Sequence, residues 1–72
     1  MARFWFHIVC GVRTYPDEVG YRFRSAQAAL AHAAAIEREI AADGDAYCGC
    51  TIRVVDEQDR VIGRLVIGEP KS

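Results

Sequence analysis

Seventy-two residues allow one domain, residues 1–72, and a chain this short hides only about 60% of the surface that its unfolded form exposes. Its core therefore calls for a supplement: a bridge, a metal or a second copy. Hydrophobic residues make up 51% of the chain and the formal charge is −1, which excludes a disordered chain and removes bulk charge as an argument for DNA or membrane binding.

Arg3 to Cys10 is aromatic and β-branched, with no turn residue before Gly11, and predicts a first strand over about 3–10. Phe4, Phe6, Ile8 and Cys10 alternate onto one face, and Arg3, Trp5, His7 and Val9 onto the other. The first set is more uniformly apolar and is assigned to the core. The same segment lacks the cleavage site of a signal peptide, and no apolar run approaches the ~20 residues of a membrane span. A cytoplasmic protein with no membrane association is expected. Three cysteines, an odd number, argue in that compartment against a structural disulfide framework.

Gly11 to Gly20 reads as a connection, with Pro16 and Asp17 favouring a turn. A second strand, about 20–24, follows; Tyr21 and Phe23 face inward, Arg22 and Arg24 outward. Ser25 is a fitting N-cap for a helix over about 25–43. At 100° per residue, Ala26, Ala29, Leu30, Ala33, Ile36 and Ile40 share its buried side. His32, Glu39 and Asp43 lie opposite, and the Glu37 carboxylate is expected to reach solvent. Gly44 suits the position that ends a helix. A third strand is predicted over about 47–56, clearest at Thr51–Val55, then a polar turn at Asp56–Arg60. A fourth strand, about 61–67, precedes a frayed tail at Lys71 and Ser72. In it Val61, Gly63, Leu65 and Ile67 are expected inward and Ile62, Arg64 and Val66 outward.

This order predicts an α+β fold, a two-layer ββαββ arrangement with one helix packed on a four-stranded, mostly antiparallel sheet. The helix links the second and third strands as a right-handed crossover, leaving room for the first strand between them.

Arg3-Phe4-Trp5-Phe6-His7 resembles the Arg-Tyr-Phe-Phe-His opening of a family of short bacterial proteins classed as a domain of unknown function. Pro16-Asp17-Glu18-Val19-Gly20 is similar to that family's Pro-Asp-Glu-x-Gly segment, and Val54-Val55-Asp56-Glu57 with Val61 resembles its Val-x-Asp-Glu turn and last strand. Two departures stand out. Asp59 replaces a glycine of the last turn, and Cys48-Gly49-Cys50 is not a family feature. The resemblance implies the fold and brings no catalytic residue.

The most informative surface is the outer sheet face. Alternation puts Arg3, Trp5, His7, Arg22, Arg24, Arg53 and Arg64 there, which is five of the eight arginines with a tryptophan and a histidine. Three readings stay open. The face is solvated, with arginine stems covering apolar neighbours. It is a homodimer interface built on Trp5, Val9, Val55, Ile62 and Val66, needing acids from the partner to offset the arginines. Or it binds nucleic acid or another anionic ligand, with Trp5 and His7 stacking on bases and Arg22, Arg24, Arg53 and Arg64 holding phosphates.

Cys10, Cys48 and Cys50 fall at one end of the sheet, but His7 alternates away from Cys10 and the Cys-x-Cys spacing is tight for zinc, so no metal and no cofactor are expected. Asp17–Glu18 and Asp56–Glu57 read as solvated turn pairs with no shared pocket. No Gly-rich phosphate loop, His-Glu-x-x-His pattern or nucleophile elbow is present. The sequence thus predicts a non-catalytic, homodimeric interaction module, with nucleic-acid binding as the alternative.

Overall fold

The structure, a computed structural model, describes residues 1–44 and 46–68, and β1 (Ala2–Cys10) lies at its centre. Five strands form the sheet. β2 (Arg13–Tyr15) and β3 (Tyr21–Phe23) both pair antiparallel with one edge of β1, opposite its two ends, with Ile8 against Tyr15 and Phe4 against Tyr21. β4 (Thr51–Val55) pairs antiparallel with the other edge, and β5 (Val61–Val66) pairs with β4. β3 and β4 are each antiparallel to β1 and hence parallel to each other, as expected of strands joined through α1 (Ala26–Ala42).

The alternation read in β1 sets the two faces. Phe4 and Phe6 are buried with Ile52 and Val54 of β4, Ile67, and Ala29 and Ala33 of the helix; Leu30, Ile36 and Ile40 pack around them. Small residues let the helix lie close. A Cβ at Gly63 would collide with Cδ2 of Leu30, so the helix approaches β5 where the strand has no side chain. The helix begins where predicted, with the Ser25 hydroxyl accepting from Ala28 N–H at 3.1 Å.

Several expectations are corrected. The expected helix on an antiparallel sheet is present, and the short β2 adds a fifth strand to the four expected. Gly11 (φ +60°) opens a two-residue turn that brings Arg13 opposite Cys10, so part of the expected connection is a hairpin. The third strand starts at Thr51, because Tyr47 to Cys50 closes a turn through Cys50 N–H to Tyr47 C=O at 3.0 Å. A bulge at Val54/Val55 shifts the register, turning Ile62 toward the core and leaving Val61 41% exposed, the reverse of their expected sides. His32 is not a solvated side chain: its ring lies 5.1–5.3 Å from those of Phe6, Tyr21 and Phe23. The Glu37 carboxylate folds back to accept from Gly68 N–H at 3.1 Å. Ala26, expected on the buried side, is exposed. The tail expected at Lys71 and Ser72 lies outside the described residues.

The largest correction concerns the cysteines. Cys10 and Cys50 are joined by a disulfide that extends the β1–β4 register by one pair beyond Val9–Thr51, with Cα atoms 4.5 Å apart. Their placement at one end of the sheet was legible; the argument from an odd count was not decisive. Cys48 is a free, exposed thiol beside Gly68, and the described residues contain no cluster of side chains suited to a metal ion.

Candidate functional site

The helix covers one face of the sheet, and the opposite face carries the outward residues of β1, β4 and β5. Pairing sets them in rows: Arg3 beside Arg22; Trp5 beside Val55, which neighbours Val61; His7 beside Arg53 beside Arg64; Val9 beside Thr51 beside Val66. The third row sets three basic side chains abreast. Like charges opposite each other on adjacent strands are destabilising. Among the described residues the one ion pair is Arg60–Asp56, so an acid relieves none of this row. Arg53 also keeps its Nε–H shut away from water with no acceptor among the described residues. Such a group costs about 1–3 kcal/mol until something accepts from it.

At the Trp5 end the face is bounded by two acidic turns. Pro16 to Gly20 bulges out between β2 and β3, leaving the middle of the β1 edge without a strand partner, and Asp17 fills the gap. Its Oδ2 accepts from Phe6 N–H at 3.2 Å, and its Oδ1 accepts from Val19 and Gly20 N–H at 3.1 and 3.0 Å. Its own N–H donates to His7 Nδ1 at 3.0 Å. An Nδ1 that accepts carries no proton, so the His7 proton sits on Nε2. Partial burial raises the Asp17 pKa, but the Gly20, Val19 and Phe6 N–H groups outweigh that and hold it below the usual carboxylate value. Gly20 (φ +72°) is required here, since a Cβ would lie 2.7 Å from Phe4 O and 3.0 Å from the Trp5 indole nitrogen.

The second turn joins β4 to β5. Asp56 Oδ1 accepts from Gln58 and Arg60 N–H, each at 2.9 Å, and Oδ2 accepts from Arg60 Nε at 3.2 Å. The Arg60 N–H, with smaller help from Gln58 N–H and the Arg60 charge against slight desolvation, keeps Asp56 below its ordinary pKa. Asp59 takes φ +63°, the left-handed conformation open to glycine and tolerated by aspartate. The departure at this position thus leaves the hairpin intact.

The two turns flank an open depression of about 290 Å³ on the outer face, lined by Trp5, His7, Asp17, Val55, Asp56, Glu57 and Asp59. Asp17 and the Asp56–Glu57 pair therefore do share a pocket, contrary to expectation. The three stretches that carry the family resemblance meet at it. Asp17 and Asp56 spend their oxygens on backbone N–H groups and Arg60. Glu57 and Asp59, both exposed, accept from no described residue through their side chains.

The structure brings Trp5, His7, Arg53 and Arg64 together on this face. Arg22 stands at its corner opposite Arg3, whose Nη1 donates to Val19 C=O at 2.7 Å. Arg24 follows β3 in a bend, outside the ladder, and does not join the rows. The residues missed are Glu57 and Asp59. Their signal was position, since they follow directly on a strand that supplies the face.

No helix among the described residues is long and apolar enough to cross a membrane. Neither the curated proteins nor the solved structures contain a match to this chain. The model of one protein family does match, over residues 3–68, nearly the whole length. With its helix-on-sheet fold and its two acidic turns, the chain belongs to DUF6894, a domain of unknown function.

Proposed function

We propose that this protein is a non-catalytic interaction module that works as a homodimer through the sheet face that α1 leaves uncovered. One observation carries the reading. In the row His7–Arg53–Arg64 two guanidinium groups stand side by side, and Arg53 holds an N–H without an acceptor among the described residues, an arrangement that an acidic partner relieves. Val61 and Val66, each 41% exposed, add apolar area beside it. The case against catalysis is that Asp17, Asp56 and His7 Nδ1 are already engaged in holding the turns. The cytoplasmic placement read from the sequence belongs to this proposal, and there the Cys10–Cys50 bridge closes only under oxidising conditions. Sedimentation from micromolar to submillimolar concentration is expected to show a dimer that dissociates on dilution. A monomer throughout would sink the reading.

The same basic row favours a second reading, in which the ligand is single-stranded nucleic acid. Arg53 and Arg64 would hold phosphates, with Arg22 at the corner and Arg24 nearby, while Trp5 and His7 stack on bases. Titration with labelled single strands, followed by Trp5 fluorescence, should then show binding that weakens as salt rises. Salt-independent binding, or none, counts against it.

A further inference from the structure

We propose that the two copies dock face to face so that Arg53 and Arg64 of each protomer meet Val55, Val61 and the Glu57 and Asp59 turn of the other. This rests on the homodimer reading and adds to it the surface and the charge pairing. The sheet face is basic at its centre and acidic at one end. Trp5 and His7 are successive outward positions on β1, about 7 Å apart. A two-fold axis lying between the sheets, across the strands and between these two positions, sets the Trp5–Val55–Val61 row of one copy over the His7–Arg53–Arg64 row of the other. The contact is isologous, so every pairing occurs twice.

This layout removes the objection to stacking two basic faces. Arginine never faces arginine; Trp5 lies over His7, while Arg53 and Arg64 lie over Val55 and Val61, next to the turn that holds the two carboxylates free to receive them. Glu57 and Asp59 are those carboxylates, because Asp17 and Asp56 are already used. The depression between the turns lies where a partner's arginine would enter. The Arg53 N–H that lacks an acceptor gains one when the side chain extends into the partner.

The test uses two variants: Arg53→Glu/Arg64→Glu reverses both charges, and Glu57→Arg/Asp59→Asn reverses one and neutralises the other, the asparagine being chosen because it accepts the positive φ at that position. Each alone should dimerise at least about tenfold more weakly than the native chain, since like charges then meet across the interface. Mixed in equal amounts, they should form a one-to-one complex, because one of the two pairings is then native and the other is attractive again with its signs exchanged. The rescue also shows that both variants fold. The native dimer should weaken with added salt. A native dimer that both variants leave unchanged overturns the docking mode while the homodimer stands, as does failure of the mixture to associate. A native monomer overturns both. A monomer that binds oligonucleotides through Arg53 and Arg64 gives the face to nucleic acid instead.

Discussion

Replacing Cys10 and Cys50 together by alanine is expected to lower the unfolding free energy by about 3–4 kcal/mol. The bridge joins residues 40 positions apart, and closing a loop of that length removes roughly this much entropy from the unfolded chain. For a domain of this size each kcal/mol moves the melting temperature by about 4–8 °C, so the loss should exceed ten degrees. Alanine is the cleaner choice than serine, because Cys50 is buried and a hydroxyl there would need a partner. Reductant added to the native protein should reproduce most of the loss, and Cys48→Ala should change little, since that thiol is free and exposed. The slope of a denaturant titration should also rise without the bridge, as the unfolded chain expands. A midpoint indifferent to reductant would rule the bridge out as a source of stability.

Asp17→Ala should cost about 2–3 kcal/mol, although the residue lies in a turn. Its carboxylate receives three backbone N–H groups, two of them part-buried, and alanine leaves these without their acceptor. The effect should be local to the β1 edge and appear as faster amide exchange at Phe6 and Gly20. Acid supplies a second check with a definite sign. The folded-state pKa of Asp17 is depressed, so its contribution is fully present above the ordinary carboxylate value of about 3.9 and is lost as pH falls through the lower folded value. The gap between native and variant should stay constant from neutral pH to about 5, then close below about 4. A gap that widened in acid would mean that another group sets the effect.

Much of the fold was legible because its signals are local. The Ser25 cap and the alanine-rich face located the helix to within a residue at each end. Alternation in Arg3–Cys10 separated Phe4 and Phe6 from Trp5 and His7 correctly. What escaped depends on distant partners. Arg13–Tyr15 has no buried residue to betray a strand, and it becomes one only because Gly11 turns it back against β1. His32 is polar by type, and only the fold reveals three aromatic rings beside it. The bulge that exchanges Val61 and Ile62 breaks the period of two on which the reading relied. The basic half of the candidate site was visible for the same reason as the core. Its acidic half was not, because Asp17 and Glu57 lie far apart in sequence and meet only at the end of the sheet.

The bulge between β2 and β3 bears on how the protein behaves in concentrated solution. It interrupts one margin of the sheet and occupies the Phe6 amide with a side chain, so an incoming strand finds no continuous template there. The opposite margin is β5, Val-Ile-Gly-Arg-Leu-Val, which ends the strand order and carries a single charge, Arg64. Strand-by-strand aggregation is therefore held off mainly by one guanidinium, the same group assigned to the docking face. Neutralising it would remove a gatekeeper as well as a contact. Arg64→Glu keeps a charge at that position and separates the two roles.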